Sequence, residues 1–113
     1  DAVVFNPAFN MAEFSHYLEG PQQNYVTGQA FEFTAAHGRR LAALEASVDY
    51  RGPAPFRVYV DRDDETIDAA WSERFHAGFA HFVAYPGGSH SFEHAREALA
   101  DFQPGCWNRA RQC

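Results

Sequence analysis

The sequence predicts an α/β fold, a small parallel sheet with flanking helices. Two observations carry this reading. The second half of the chain runs strand, loop, helix, strand, loop, helix, and strands that alternate with helices pair in parallel through crossover connections. The first residues, Ala2–Phe5, add a short apolar run closed by Asn6-Pro7, as expected of a buried strand that delivers its chain to a loop.

Each element follows from local composition. Residues 9–18 suit a short helix, and Gly20-Pro21 breaks the chain after it. Residues 24–28 are turn-like, and residues 29–33 alternate weakly, as an edge strand does. Residues 35–46 have helical composition, with Leu41, Ala42 and Leu44 on one side. Residues 55–60 (PFRVYV) read as a strand that opens into an acidic loop, residues 61–65. Residues 68–77 form the next helix and residues 80–85 (AHFVAY) the next strand. Pro86-Gly87-Gly88 is a turn. Residues 91–102 are a helix with Phe92, Ala95, Leu99 and Phe102 on one face. Residues 103–113 show no clear period and read as a tail, docked or loose.

A chain of 113 residues suggests one domain. Its 46% hydrophobic content is enough for a core and argues against disorder. The 16% aromatic share is high for so short a chain; some of these rings are expected to face a partner or a pocket. The formal charge is −6, and every basic residue is Arg. No basic run tracks a phosphate backbone, so nucleic-acid binding is disfavoured. No apolar stretch is long enough to span a membrane, and the start, DAVVFNPAF, lacks the positive residues of a secretory signal. Cys106 and Cys113 do not form a CxxC pair. Free thiols in a cytoplasmic protein are favoured over a tail disulfide.

In a parallel sheet, ligands bind beyond the carboxyl ends of the strands. Two loops leave strands at that edge. One carries Asp61, Asp63, Asp64 and Glu65; the other carries Ser89, His90 and Ser91. A His at the tip of a glycine turn is either a solvent-exposed loop residue or a general base, whose tautomer a carboxylate would fix. The acidic loop on the same rim favours the base.

At this point the sequence resembles a known family. Asp64-Glu65-Thr66-Ile67-Asp68, followed by Gly87-Gly88-Ser89-His90-Ser91-Phe92, is similar to the late acid and histidine segments of the YqiA-like esterases, small members of the α/β-hydrolase superfamily. Asn6-Pro7-Ala8, Tyr25-Val26-Thr27-Gly28 and His37 to Leu41 match earlier segments of that family in the right order. The resemblance covers residues 1–102, as a partial α/β-hydrolase-like domain, and leaves 103–113 as a C-terminal tail. It implies the C-terminal half of the hydrolase fold and the function of a carboxylic-ester hydrolase, or a fragment of one. It makes Asp64 the acid and His90 the base of a Ser-His-Asp triad, with a small short-acyl ester as substrate and no cofactor. Asp61, Asp63 and Asp68 are weaker acid candidates, and Asp68 is expected to cap a helix.

The nucleophile elbow, Gly-x-Ser-x-Gly, does not occur in these residues and is expected upstream of Asp1. Of the serines present, Ser89 and Ser91 flank His90, and Ser47 and Ser72 are expected on helical or post-helical surface. Ser15 is the remaining substitute nucleophile.

His90-Ser91-Phe92-Glu93-His94 also matches the His-x-x-Glu-His pattern of inverted zinc peptidases. The pattern needs both His on one helix face, whereas Gly87-Gly88 suggests that His90 precedes the helix. A distant third ligand is missing as well. No bound zinc is therefore expected, and His94 reads as a helix-surface residue beside Glu93 and Glu97. His76 and His81 are read as favouring a helix dipole, and Trp71 and Trp107 as packing residues. Three functions remain open: a miniature esterase, an inactive hydrolase-derived binding module, and the metal peptidase. The missing half of the sheet would leave Val3, Val4 and Phe5 on an unpaired edge, which predicts a homodimer.

Overall fold

The computed structural model describes residues 2–49 and 56–109, with side chains up to residue 102. The elements in chain order are β1 (Ala2–Phe5), a 3-10 helix (Met11–Leu18), β2 (Gly20–Gln23), β3 (Ala30–Phe33), α1 (Ala35–Ala46), β4 (Phe56–Asp61), α2 (Ala69–His76), β5 (His81–Tyr85) and α3 (Ala95–Arg109). They divide into two compact units, Asp1–Pro7 with Pro53–Cys113, and Ala8–Gly52.

The first unit is the expected α/β layer structure. Its three strands lie in the order β1-β4-β5, and both pairings are parallel. The central strand β4 is covered on both faces, as parallel strands require. Strand alternation separates these faces. Val58 and Val60 point one way, pack with Ala69 of α2, and gather Val4, Phe56, Phe82 and Ala84 around them. Tyr59 points the other way, where its hydroxyl donates to Asp101 of α3 at 2.8 Å. Asp68 caps α2, its carboxylate accepting from the Ala70 amide at 2.9 Å, as expected. The turn at Gly87 and Gly88 is built from two left-handed residues, φ +77° and +79°, which glycine adopts without penalty.

Helix α3 departs from the expected bounds. It begins at Ala95, not residue 91, because Phe92 takes a left-handed φ of 58° and its ring stacks on Phe5, 4.7 Å between centroids. The expected apolar face fails with it: Ala98 is the buried residue, and Leu99 is exposed. At the other end the backbone stays helical to Arg109, through what reads in sequence as an aperiodic tail. Cys106 and Trp107 are described by backbone alone, and Cys113 lies outside the described residues.

In the second unit, Gly20-Pro21 does not end an element but begins one. Strand β2 pairs antiparallel with β3, Gly20 opposite Phe33. In a two-stranded ribbon every strand is an edge, where Pro is tolerated. The 24–28 turn joins them, and the Asn24 side chain accepts from the Val26 and Thr27 amides. Residues expected as a short helix form a 3-10 helix. Its first amides, Met11 and Ala12, donate to the Glu45 carboxylate at 2.6 and 3.0 Å, so α1 supplies the cap. Helix α1 opens on a capping box between Thr34 and His37. Its inward positions are Gly38, Leu41 and Glu45; of the composition-based face, Leu41 faces inward as expected, while Ala42 and Leu44 are exposed.

Candidate functional site

The carboxyl ends of β1, β4 and β5 carry the candidate site. β4 ends at Asp61 and runs into a tight turn, in which the Asp64 carboxylate accepts from the Thr66 and Ile67 amides at 2.8 and 2.9 Å. This is the local turn that aspartate favours. β5 ends at Tyr85 and runs through the glycine turn to His90. Because β4 and β5 are neighbours, the two loops meet. His90 Nδ1 lies 3.0 Å from each oxygen of Asp64. The Asp64 side chain is 2% exposed, the His90 side chain 42%.

The electrostatics follow from this geometry. Burial pushes the Asp64 carboxyl up, but the hydrogen bonds from His90, Ile67 and Thr66 outweigh it and leave its pKa below the ordinary value. A carboxylate at Nδ1 holds the neutral ring with its proton on that nitrogen. Nε2, which has no hydrogen-bond partner among the described residues, is then the basic nitrogen. The pair can therefore accept a proton at Nε2 while Asp64 stabilises the imidazolium. Glu65 adds a second tie to the loop, accepting from the His90 backbone amide at 3.0 Å.

Behind this pair lies a second one that sequence reading does not separate from the acidic run. Asp61 belongs to β4 rather than to the loop, and it is 0% exposed. Its Oδ1 is 2.7 Å from His94 Nδ1, and its Oδ2 accepts from the Ser89 and Glu93 amides at 3.2 and 2.6 Å. His94 is thus no helix-surface residue; it precedes α3, half-buried, with its ring stacked on Tyr85. Asn6, just beyond β1, enters the sequence reading only as the close of the first strand and in the Asn6-Pro7-Ala8 match, with no role at the site. Its side chain accepts from the Asp61 amide and donates to the Ser89 and His90 carbonyls at 2.7 and 3.1 Å. The signal available for Asp61 was strand phase, since it sits two residues after the buried Tyr59.

The other candidates fall elsewhere. Ser15 lies in the second unit, buried, with its hydroxyl donated to the Ala12 carbonyl at 2.8 Å. Gly38 packs on it so closely that a Cβ there would sit 2.7 Å from the hydroxyl. Ser72 is not on the surface but fully buried beside His76. His76 corrects a second expectation. It is 0% exposed among Phe56, Phe75, Phe79 and Phe82. Burial lowers its pKa against the opposing pull of the Ser72 carbonyl, so the ring packs in neutral form rather than charging against a helix dipole. His81 opens β5 and bonds Asp101 at 2.9 Å. Ser47 is the exposed C-cap of α1. Trp71 stacks on Phe75 at 5.4 Å, in keeping with a packing role. Among the described residues no group of three or more His, Cys, Asp or Glu is placed to hold a metal ion, and no helix is long and apolar enough to cross a membrane.

A family model matches residues 1–103. The chain belongs to the uncharacterised protein family UPF0227. A comparison with curated proteins gives no match. In this UPF0227 chain the matched span contains every residue of the site just described: Asn6, Asp61, Asp64, Glu65, His90 and His94.

Proposed function

We propose that Asp64 and His90 are the acid and base of a serine-type carboxylic-ester hydrolase, related to the YqiA-like esterases of the α/β-hydrolase superfamily. One observation carries the reading: an exposed imidazole held through Nδ1 by a buried carboxylate, at the carboxyl ends of neighbouring parallel strands. In this mechanism His90 Nε2 takes the proton of a serine hydroxyl as its oxygen attacks the ester carbonyl. The carbonyl pair moves onto oxygen, and the imidazolium returns the proton to the departing alkoxide. Water then releases the acyl group by the same route. Ser15 is a poor nucleophile for this role, because its hydroxyl is buried and already donated. A serine elbow from sequence outside these 113 residues, or from a separate chain, fits the reading better.

The test is hydrolysis of short-acyl p-nitrophenyl esters by the protein in its natural reading frame. His90→Ala should lower the rate by at least about 10²-fold, the lower range for a positioned base. Equal rates in wild type and variant would place any activity elsewhere. A folded wild type without turnover would favour the inactive binding module, a reading that the committed Ser15 hydroxyl supports.

A further inference from the structure

The loop that carries His90 is held by a buried carboxylate that the proposed chemistry does not use. Asp61 is 0% exposed. Removing a carboxylate from water is costly unless donors replace the lost hydration. All three donors that meet Asp61 come from one loop: the Ser89 amide, the Glu93 amide and the His94 ring. The first and last of them bracket His90. The space is filled so closely that any Cβ at Gly88 would overlap the Asp61 carboxylate. Asn6 closes the arrangement, linking the Asp61 amide to the Ser89 and His90 carbonyls. Tyr85, the last residue of β5, stacks flat on His94, 5.1 Å between centroids and 13° apart.

We propose that Asp61 and His94 form a positioning pair, a second carboxylate–imidazole contact that sets the height and direction of the His90 loop so that Nδ1 of His90 meets Asp64. The proposal rests on the hydrolase reading for its purpose, but not for its physics. Asp64 fixes the His90 ring only if the loop backbone holds the ring within reach of it. The Asp64, Glu65 and Asn6 bonds reach His90 itself, whereas Asp61 fixes the loop on either side of it, at Ser89, Glu93 and His94. A ligand oriented by a second layer of hydrogen bonds is the usual way in which a reactive imidazole is held to sub-ångström tolerance.

The test is long-range ¹H–¹⁵N NMR of the histidine rings, with amide hydrogen exchange, on the full chain at a pH where the rings are neutral. In the wild type both His90 and His94 should carry the proton on Nδ1. Asp61→Asn is isosteric and keeps an oxygen for the two amides, turning its NH₂ toward His94. His94 should then switch to the Nε2–H tautomer while His90 is unchanged. His94→Ala leaves Asp61 and its two amide bonds in place. Here the Nε2–H tautomer of His90 should appear, and the Ser89 and Glu93 amides should exchange about 10-fold faster, the loosening expected when a loop loses one charged hydrogen bond. The central β4 amides should be unaffected. A His94 that keeps its Nδ1 proton in Asp61→Asn would overturn the pairing. A His90 ring unchanged in His94→Ala would overturn the positioning role. Neither readout needs turnover, so a protein without esterase activity would refute the hydrolase reading alone.

Discussion

Replacing Gly88 by alanine tests whether the packing of the His90 loop on Asp61 holds the first unit together. Gly87 and Gly88 are neighbours with nearly the same left-handed φ, +77° and +79°. A Cβ at Gly87 meets nothing within 4 Å, whereas one at Gly88 overlaps the Asp61 carboxylate and lies 2.7 Å from its Cβ. Gly87→Ala therefore suffers only the left-handed backbone, about 1 kcal/mol. Gly88→Ala suffers that and must also displace Asp61. The buried carboxylate then loses its bonds to Ser89, Glu93 and His94. Stranding a buried charge in this way costs about 3–5 kcal/mol, which gives a total of about 4–6 kcal/mol. That is a large share of the stability of a small domain. Urea unfolding followed by tryptophan fluorescence measures it, because Trp71 and Trp107 both belong to the unit that contains the loop. A lower midpoint at unchanged slope is the expected result. Equal losses in the two variants would show that Asp61 yields freely and that the loop is not fixed as argued.

His76 should make the fold acid-sensitive. Its folded pKa is lowered, so as pH falls the unfolded chain binds the proton first. The stability it contributes is full above the unfolded value, about 6.5, and is lost below it, at up to about 1.4 kcal/mol per pH unit. Denaturation midpoints measured from pH 8 to pH 5 should fall in the wild type and flatten in His76→Phe; parallel curves would refute the assignment. Metal analysis of protein purified without chelator should find far less than one zinc per chain. His90 and His94 address separate carboxylates and precede α3, so they do not share a helix face; near-stoichiometric zinc would contradict this. We also propose a homodimer. β1 is bonded on one side only among the described residues, and Phe5 is 43% exposed beside that edge, an arrangement that invites strand pairing. Light scattering at micromolar concentration should give twice the chain mass, and a stable monomer would rule it out.

The meeting of Asp64 and His90 was legible because it follows from topology. Two loops that leave adjacent parallel strands at their carboxyl ends must share a rim, and the strand–helix alternation is plain in the sequence. Asp61 was not legible as a separate group, because Asp61, Asp63 and Asp64 form one acidic run. Only the phase of β4 distinguishes them: Tyr59 and Asp61 share a face, which α3 covers at Tyr59 and the 88–94 loop covers at Asp61. The start of α3 was misjudged for a related reason. Phe92, Ala95, Leu99 and Phe102 have helical spacing, but Phe92 is engaged by Phe5 and Tyr85, which pulls it out of the helix. The 24–28 turn and the edge strand β3 were legible, but β2 was missed because Gly-Pro is a breaker in a central strand but not at an edge.

The same misjudged residues bear on the site. Asn6, Asn10 and Phe92 have positive φ without being glycine. An aromatic residue in that region is strained, and such strain persists only where the surroundings over-determine it. Here the surroundings are the Asn6 and Asp61 hydrogen bonds to the loop, and the stacking of Phe92 on Phe5. Two of the three non-glycine residues with positive φ, Asn6 and the strained Phe92, therefore belong to the network that holds His90. A loop whose only task was to join β5 to α3 would have no reason to retain a left-handed Phe and a buried carboxylate. The first could be relieved by Phe92→Gly, whereas the second is tied to the loop through the Ser89 and Glu93 amides and the His94 ring. Their joint presence around one imidazole supports a loop whose stability is invested in the position of His90.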